Sequence, residues 1–277
     1  MMRIPLLFAL VVWTLALLGI LGLSQWLPPR WSMPAAQLLL LSGALLGARF
    51  LLPGRGELRN RLALRPQPAG EVVLAGATAI LLLPGLQMLF DRLLRQFSGY
   101  ADYVSKQQAV LGGDSHGLGY GFLVVAIVLL PPICEELFFR GYLSSALRSS
   151  GYTRAAIILT GGLLFGLFHL DPWRLVPVSI LGMIMVWLVE TGGSILAGMA
   201  FHMVNNGIIF FGAVLAASTP NAGLDNADLS LGQVFFAAGL FLLGVLTLAT
   251  FARRAALRRS KEPNPFSQAA GRPGNGL

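Results

Sequence analysis

Glu135 and Glu136 stand side by side in a long apolar run, and Arg140 follows Glu136 by four residues. In a second apolar run His169 follows Phe165 by four, and in a third Asn206 follows His202 by four. The whole chain holds only 12 acidic residues and three histidines. A charged side chain in hydrocarbon is costly, so it generally faces a protein interior and often has a function there. A carboxylate with imidazoles can activate water, directly as a general base or through a metal. Glu135, His169 and His202 also form a reasonable ligand set for a divalent metal such as Zn²⁺, with an open fourth position. A metal-free reaction is equally compatible with them. An amide such as Asn206 can donate a hydrogen bond to a developing oxyanion. These parts suffice to hydrolyse an amide bond inside a membrane.

Pro131-Pro132 breaks the backbone ladder one turn before the acids and predicts a kink. Glu136 and Arg140, four apart with the acid first, share a helix face and can pair. Glu135 is rotated from Glu136 by about 100° and has no local partner. It is then either protonated or paired with a group on another helix. Taken singly, each histidine also fits a packing or hydrogen-bonding role. Depth arithmetic brings the sites together. Gly151 is a natural turn, with Glu135 16 residues before it and His169 18 after. At about 1.5 Å per residue these lie roughly 24 and 27 Å from the turn, nearly level on antiparallel helices. His202 lies about 14 Å into its own helix, also within the membrane. One pocket holding Glu135, His169, His202 and Asn206 is expected.

The elements that must position them are membrane helices. The chain is 55% hydrophobic and 12% charged, where a soluble domain carries about a quarter charged residues. Eight spans are predicted, near 4–27, 33–52, 71–91, 119–146, 154–170, 174–191, 193–215 and 231–251. The fifth and sixth are separated only by Leu170-Asp171-Pro172-Trp173, so a hairpin that turns early is expected. The first span is read as a retained helix, since no small-x-small site follows it before Pro28-Pro29. The fold expected is an all-α polytopic bundle: one membrane domain over 1–259, a motif core at 131–207, and a disordered polar tail at 260–277.

The net charge of +8 does not point to nucleic acid here, because the basic residues lie between the spans, where they report orientation. With both termini cytoplasmic, the inner segments hold 15 of the 20 basic residues. The acidic segment near Asn221–Asp228 falls outside. The expected location is a bacterial inner membrane, with the lipid bilayer itself as one partner. Cys134 is the only cysteine, which excludes an internal disulfide and reads as a small buried residue. The stretch 92–118 is the longest loop, with room for a short amphipathic helix. Gly43 and Gly47, Gly117 and Gly121, and Gly162 and Gly166 have the four-residue spacing that lets helices approach closely.

The three motifs resemble those of the CAAX protease and bacteriocin-processing (CPBP or ABI) family, which includes the Ras-converting CAAX endopeptidases. The family carries Glu-Glu-x-x-x-Arg, Phe-x-x-x-His and His-x-x-x-Asn/Asp on separate membrane helices. Here they read Glu135 to Arg140, Phe165 to His169 and His202 to Asn206, complete and in order. The resemblance implies an intramembrane endopeptidase. Glu135 would activate water and His169 would assist it. His202 and Asn206 would stabilise the oxyanion or hold a metal, and Glu136 with Arg140 would brace the site. The substrate implied is a membrane-associated or hydrophobic peptide or protein.

Three other readings compete. Buried Glu and His also build the proton relays of ion-coupled transporters, although no duplicated half is visible. A non-catalytic binding, immunity or export-assisting protein could carry the same motifs. A serine protease using Ser194 with His202 is a third, but Ser194 reads better as a helix cap.

Overall fold

The computed structural model describes residues 4–52, 57–113, 119–218 and 230–261. These residues form ten helices and no strand. α1 (Ile4–Trp26) is apolar on every face, and α2 (Pro29–Leu46) starts on a proline whose missing N–H would be unbonded anyway. α2 runs on through a widened π-helical turn, Gly47–Leu51. α3 (Leu58–Arg61) is a single turn, followed by α4 (Ala69–Leu94) and α5 (Tyr100–Gly113). α6 covers Tyr120–Ser149 and alternates α-helical and π-helical segments. α7 (Arg154–Phe168), α8 (Pro172–Gly192), α9 (Ile195–Ser218) and α10 (Leu231–Lys261) complete the order.

Seven helices are long and apolar enough to cross a bilayer: α1, α2, α4, α6, α8, α9 and α10. The fifth of the eight expected spans is present as α7, but it has only 15 residues. At about 1.5 Å per residue it reaches roughly 22 Å, short of a hydrocarbon core of about 30 Å. The early-turning hairpin is its cause. His169 ends α7, Leu170 adopts a left-handed φ of 49°, and Asp171 caps α8 through Trp173 N and Arg174 N. Gly151, at φ 82°, makes the preceding turn. The chain is a multi-pass membrane protein, and its exposed surface is rich in Leu, Phe and Val, as a lipid-facing surface requires.

α6 is the centre of the bundle. Over half of its apolar window is buried (56%), against 11% for α1 and 17% for α10, which are peripheral. α2 packs along its Leu130–Leu143 part through small residues. A side chain at Gly47 would lie 2.5 Å from the Tyr142 ring, so only glycine permits that approach. Gly162 and Gly166 do the same for α7 against α8, where a Cβ would lie 2.8 Å from Ser179 O and 2.7 Å from Leu175 O respectively. The packing expected at Gly121 is absent, since nothing lies within 4 Å of a Cβ built there. Gly117 lies outside the described residues.

Two expected loops are more ordered than their composition suggests. Part of 92–118 is the helix α5, which docks on the α7–α8 tip: Tyr103 donates to Asp171 Oδ2 at 2.7 Å, and Tyr100 and Tyr103 pack on Trp173. The arginine-rich stretch before α4 is threaded against the bundle, with Ser145 Oγ donating to Arg61 O and Ser194 Oγ to Arg65 O. α10 runs ten residues past its expected end and carries Arg258 to the buried Glu71 carboxylate at 3.0 Å. The acidic segment near Asn221–Asp228 and all but the first two residues of the expected tail lie outside the described residues.

Candidate active site

α6 supplies the two acids. Pro131 and Pro132 have no N–H, so the carbonyl of Ile127 has no donor at either the fourth or the fifth residue beyond it. The helix widens into a π segment at Val124–Leu129, as often occurs at functional sites. Asn206 Nδ2, from α9, donates to that stranded carbonyl at 3.0 Å. Asn205 Nδ2 donates in turn to Asn206 Oδ1 at 3.0 Å. The helix is thus held at its break, one turn before Glu135 and Glu136.

Glu136 is fully buried, and its Oε1 lies 3.0 Å from both Arg140 Nη1 and His202 Nδ1. An ionised carboxylate only accepts, so Nδ1 of His202 carries the proton and Nε2 faces the other way. Nε2 lies 3.8 Å from Glu135 Oε2, facing it without a direct hydrogen bond. The single His202 ring therefore stands between the two acids. Arg140 is also fully buried, and its guanidinium lies 4.2 Å from the centre of the Phe165 ring and donates to Gly182 O at 3.4 Å. The charge pair expected from the four-residue spacing is present, inside the bundle. Gly198 gives the Glu136 carboxylate room: a Cβ there would lie 2.6 Å from Oε2.

His169 joins the cluster through Phe165. The Phe165 ring packs edge-on against His169 at 5.0 Å and against His202 at 5.8 Å. His169 Nδ1 donates to Phe165 O at 2.9 Å, since a carbonyl can only accept. This leaves His169 Nε2 uncommitted to the backbone. The left-handed Leu170 follows directly, a conformation that costs a non-glycine residue about 1–3 kcal/mol and is concentrated at functional sites.

Glu135 is buried, only 8% exposed. Its partner is a residue that sequence reasoning missed. Gln37 Nε2, on α2, donates to Glu135 Oε1 at 2.9 Å. Gln37 is itself buried, and its own Oε1 has no hydrogen-bond partner among the described residues. A buried polar atom left so costs about 1–3 kcal/mol. The available signal was a lone amide on a helix face otherwise made of Leu40, Ala44, Gly47 and Ala48, all buried.

Glu135, Glu136, Arg140, His169, His202 and Asn206 are thereby gathered around Phe165 and the proline break. Among the described residues no three His, Cys, Asp or Glu side chains are grouped so as to hold a metal ion. The Nδ1 atoms of His169 and His202 are committed to Phe165 O and Glu136, so the two Nε2 atoms, with Glu135 beside that of His202, are the ones that would take an ion.

The site belongs to a multi-pass helical membrane protein, with two acids and His202 buried between its helices and His169 half-buried at the end of α7. Residues 118–208, which carry all six of these side chains, match the family described as type II CAAX prenyl endopeptidase Rce1-like. That family is one of intramembrane proteases, and the match covers the same part of the chain as the resemblance read from the motifs. No curated protein and no solved structure matches the chain.

Proposed function

We propose that this chain is an intramembrane endopeptidase that hydrolyses a peptide bond in a membrane-associated or hydrophobic substrate by Glu135-activated water. The observation that carries the reading is the His202 ring held between two buried acids, with Nδ1 on Glu136 and Nε2 facing Glu135. Glu135 takes a proton from water, and the resulting hydroxide attacks the substrate carbonyl. Charge develops on the carbonyl oxygen, and His202 in its imidazolium form, with Nδ1 still on Glu136, donates a hydrogen bond to it from Nε2 in a setting shielded from bulk water. His169 Nε2 assists proton transfer as the C–N bond breaks and the amine departs with the proton that Glu135 took. Asn206 supports the reaction chiefly by holding Ile127 and the proline break, because its amide is engaged there. Glu136 and Arg140 brace His202. The family match supports the reaction class, and the family's description as a prenyl endopeptidase makes a prenylated C-terminal peptide one candidate substrate.

The test is cleavage of a membrane-anchored fluorogenic peptide, with and without a farnesyl group, by the purified chain in nanodiscs made in ¹⁸O-water. One label in the new carboxyl group is expected. No cleavage of either peptide would contradict the reading. The mechanism runs through Glu135 without an ion, so loss of activity on chelation and its return with Zn²⁺ would replace it with a metal-dependent one.

A further inference from the structure

We propose that Gln37 is a positioning residue for the Glu135 base. This rests on the reading of Glu135 as the group that activates water. Gln37 comes from α2, outside the stretch 118–208 that matches the protease family, and is 98 residues from Glu135 in sequence. Its Nε2 donates to Glu135 Oε1 at 2.9 Å. That bond ties down one carboxylate oxygen and leaves Oε2 as the one turned to His202 Nε2. A carboxylate on a single-bonded side chain otherwise rotates freely, and a base acts well only when its accepting oxygen is held in line with the proton it removes.

Packing alone does not explain a glutamine here. The same face of α2 buries Leu40, Ala44 and Ala48 completely. A methionine would fill the space of Gln37 without leaving a buried carbonyl oxygen unpaired, as Gln37 Oε1 is among the described residues. The amide is therefore a stability cost with one end on the base. The other side chain set against Glu135 is His202 on α9, whose Nε2 lies 3.8 Å from Oε2. Among the described residues, Gln37 makes the direct hydrogen bond to a Glu135 oxygen.

The experiment compares wild type, Gln37→Met, Gln37→His and Glu135→Gln in nanodiscs on the same fluorogenic peptide. Gln37→Met keeps the length and packing of the side chain and removes the donor. The expected result is a fall in kcat of about 10- to 100-fold with KM within about threefold of wild type and no fall in the thermal midpoint. Gln37→His, which restores an N–H donor, recovers part of kcat. Retention of wild-type kcat by Gln37→Met, or a loss seen in KM or thermal midpoint alone, would overturn the proposal. Glu135→Gln separates this failure from that of the wider reading: if it is inactive while Gln37→Met is fully active, only the role of Gln37 falls. If Glu135→Gln still cleaves, the base assignment falls and the role of Gln37 falls with it.

Discussion

Asn206 donates its side-chain amide to the carbonyl of Ile127 across 3.0 Å, from one membrane helix to another. Ile127 needs this because the residues that would have bonded it are Pro131 and Pro132. The motif asparagine and the proline pair are thus two halves of one device, which fixes the bend of α6 just before its acids. Asn206→Ala strands the carbonyl and is expected to lower stability by about 1–3 kcal/mol. Thermal unfolding in detergent measures it. An unchanged midpoint with lost activity would point instead to a role in the reaction alone.

Arg140 and Glu136 form a charge pair with both side chains fully buried. Removing one partner leaves the other charged in a medium that does not solvate it. Arg140→Leu is expected to cost about 3–5 kcal/mol, far more than a surface pair would. The matching double variant, Arg140→Leu with Glu136→Gln, should recover much of that loss. Equal unfolding midpoints for the single and double variants would show that the charges are not coupled.

Gly198 faces Glu136 Oε2, and a Cβ there would lie 2.6 Å away. Gly198→Ala therefore pushes on the carboxylate that orients His202. A loss of kcat of about 10-fold or more is expected, by misplacement of His202, with the helix still formed because alanine favours it. Wild-type kcat would show that Glu136 does not set the ring position.

Tyr103 tethers α5 to the α7–α8 tip by donating to Asp171. Burial, and then the Asp171 carboxylate, raise the Tyr103 phenol well above its ordinary value. A raised value favours the neutral phenol in the folded state. Its contribution is then complete below the ordinary phenol value of about 10 and is lost as pH rises through the higher, folded-state value. Limited proteolysis of α5 is expected to stay slow from about pH 7 to about pH 10 and to quicken only beyond that, whereas Tyr103→Phe is cut faster throughout. Equal rates for the two proteins would contradict the tether.

The helices were legible because long apolar runs admit little else in a membrane. The hairpin was legible too, since only Leu170-Asp171-Pro172-Trp173 separates two apolar runs. The brevity of α7 was not, because its end is set by a left-handed Leu170, a conformation that composition does not announce. Glu136 with Arg140 was readable from helical spacing. The contacts of Glu135 with Gln37 and of Asn206 with Ile127 were not, as their partners lie 98 and 79 residues away and meet only through packing. α5 was foreseen only as a possibility within a polar stretch, since what anchors it is the Asp171 and Trp173 of a distant turn.

The most direct measurement is single-turnover cleavage of the membrane-anchored peptide by wild type and by Glu135→Gln, with peptide binding followed in the same nanodiscs. The expected result is cleavage by wild type, none by Glu135→Gln, and equal binding by both. Cleavage by Glu135→Gln at the wild-type rate would show that another group activates the water.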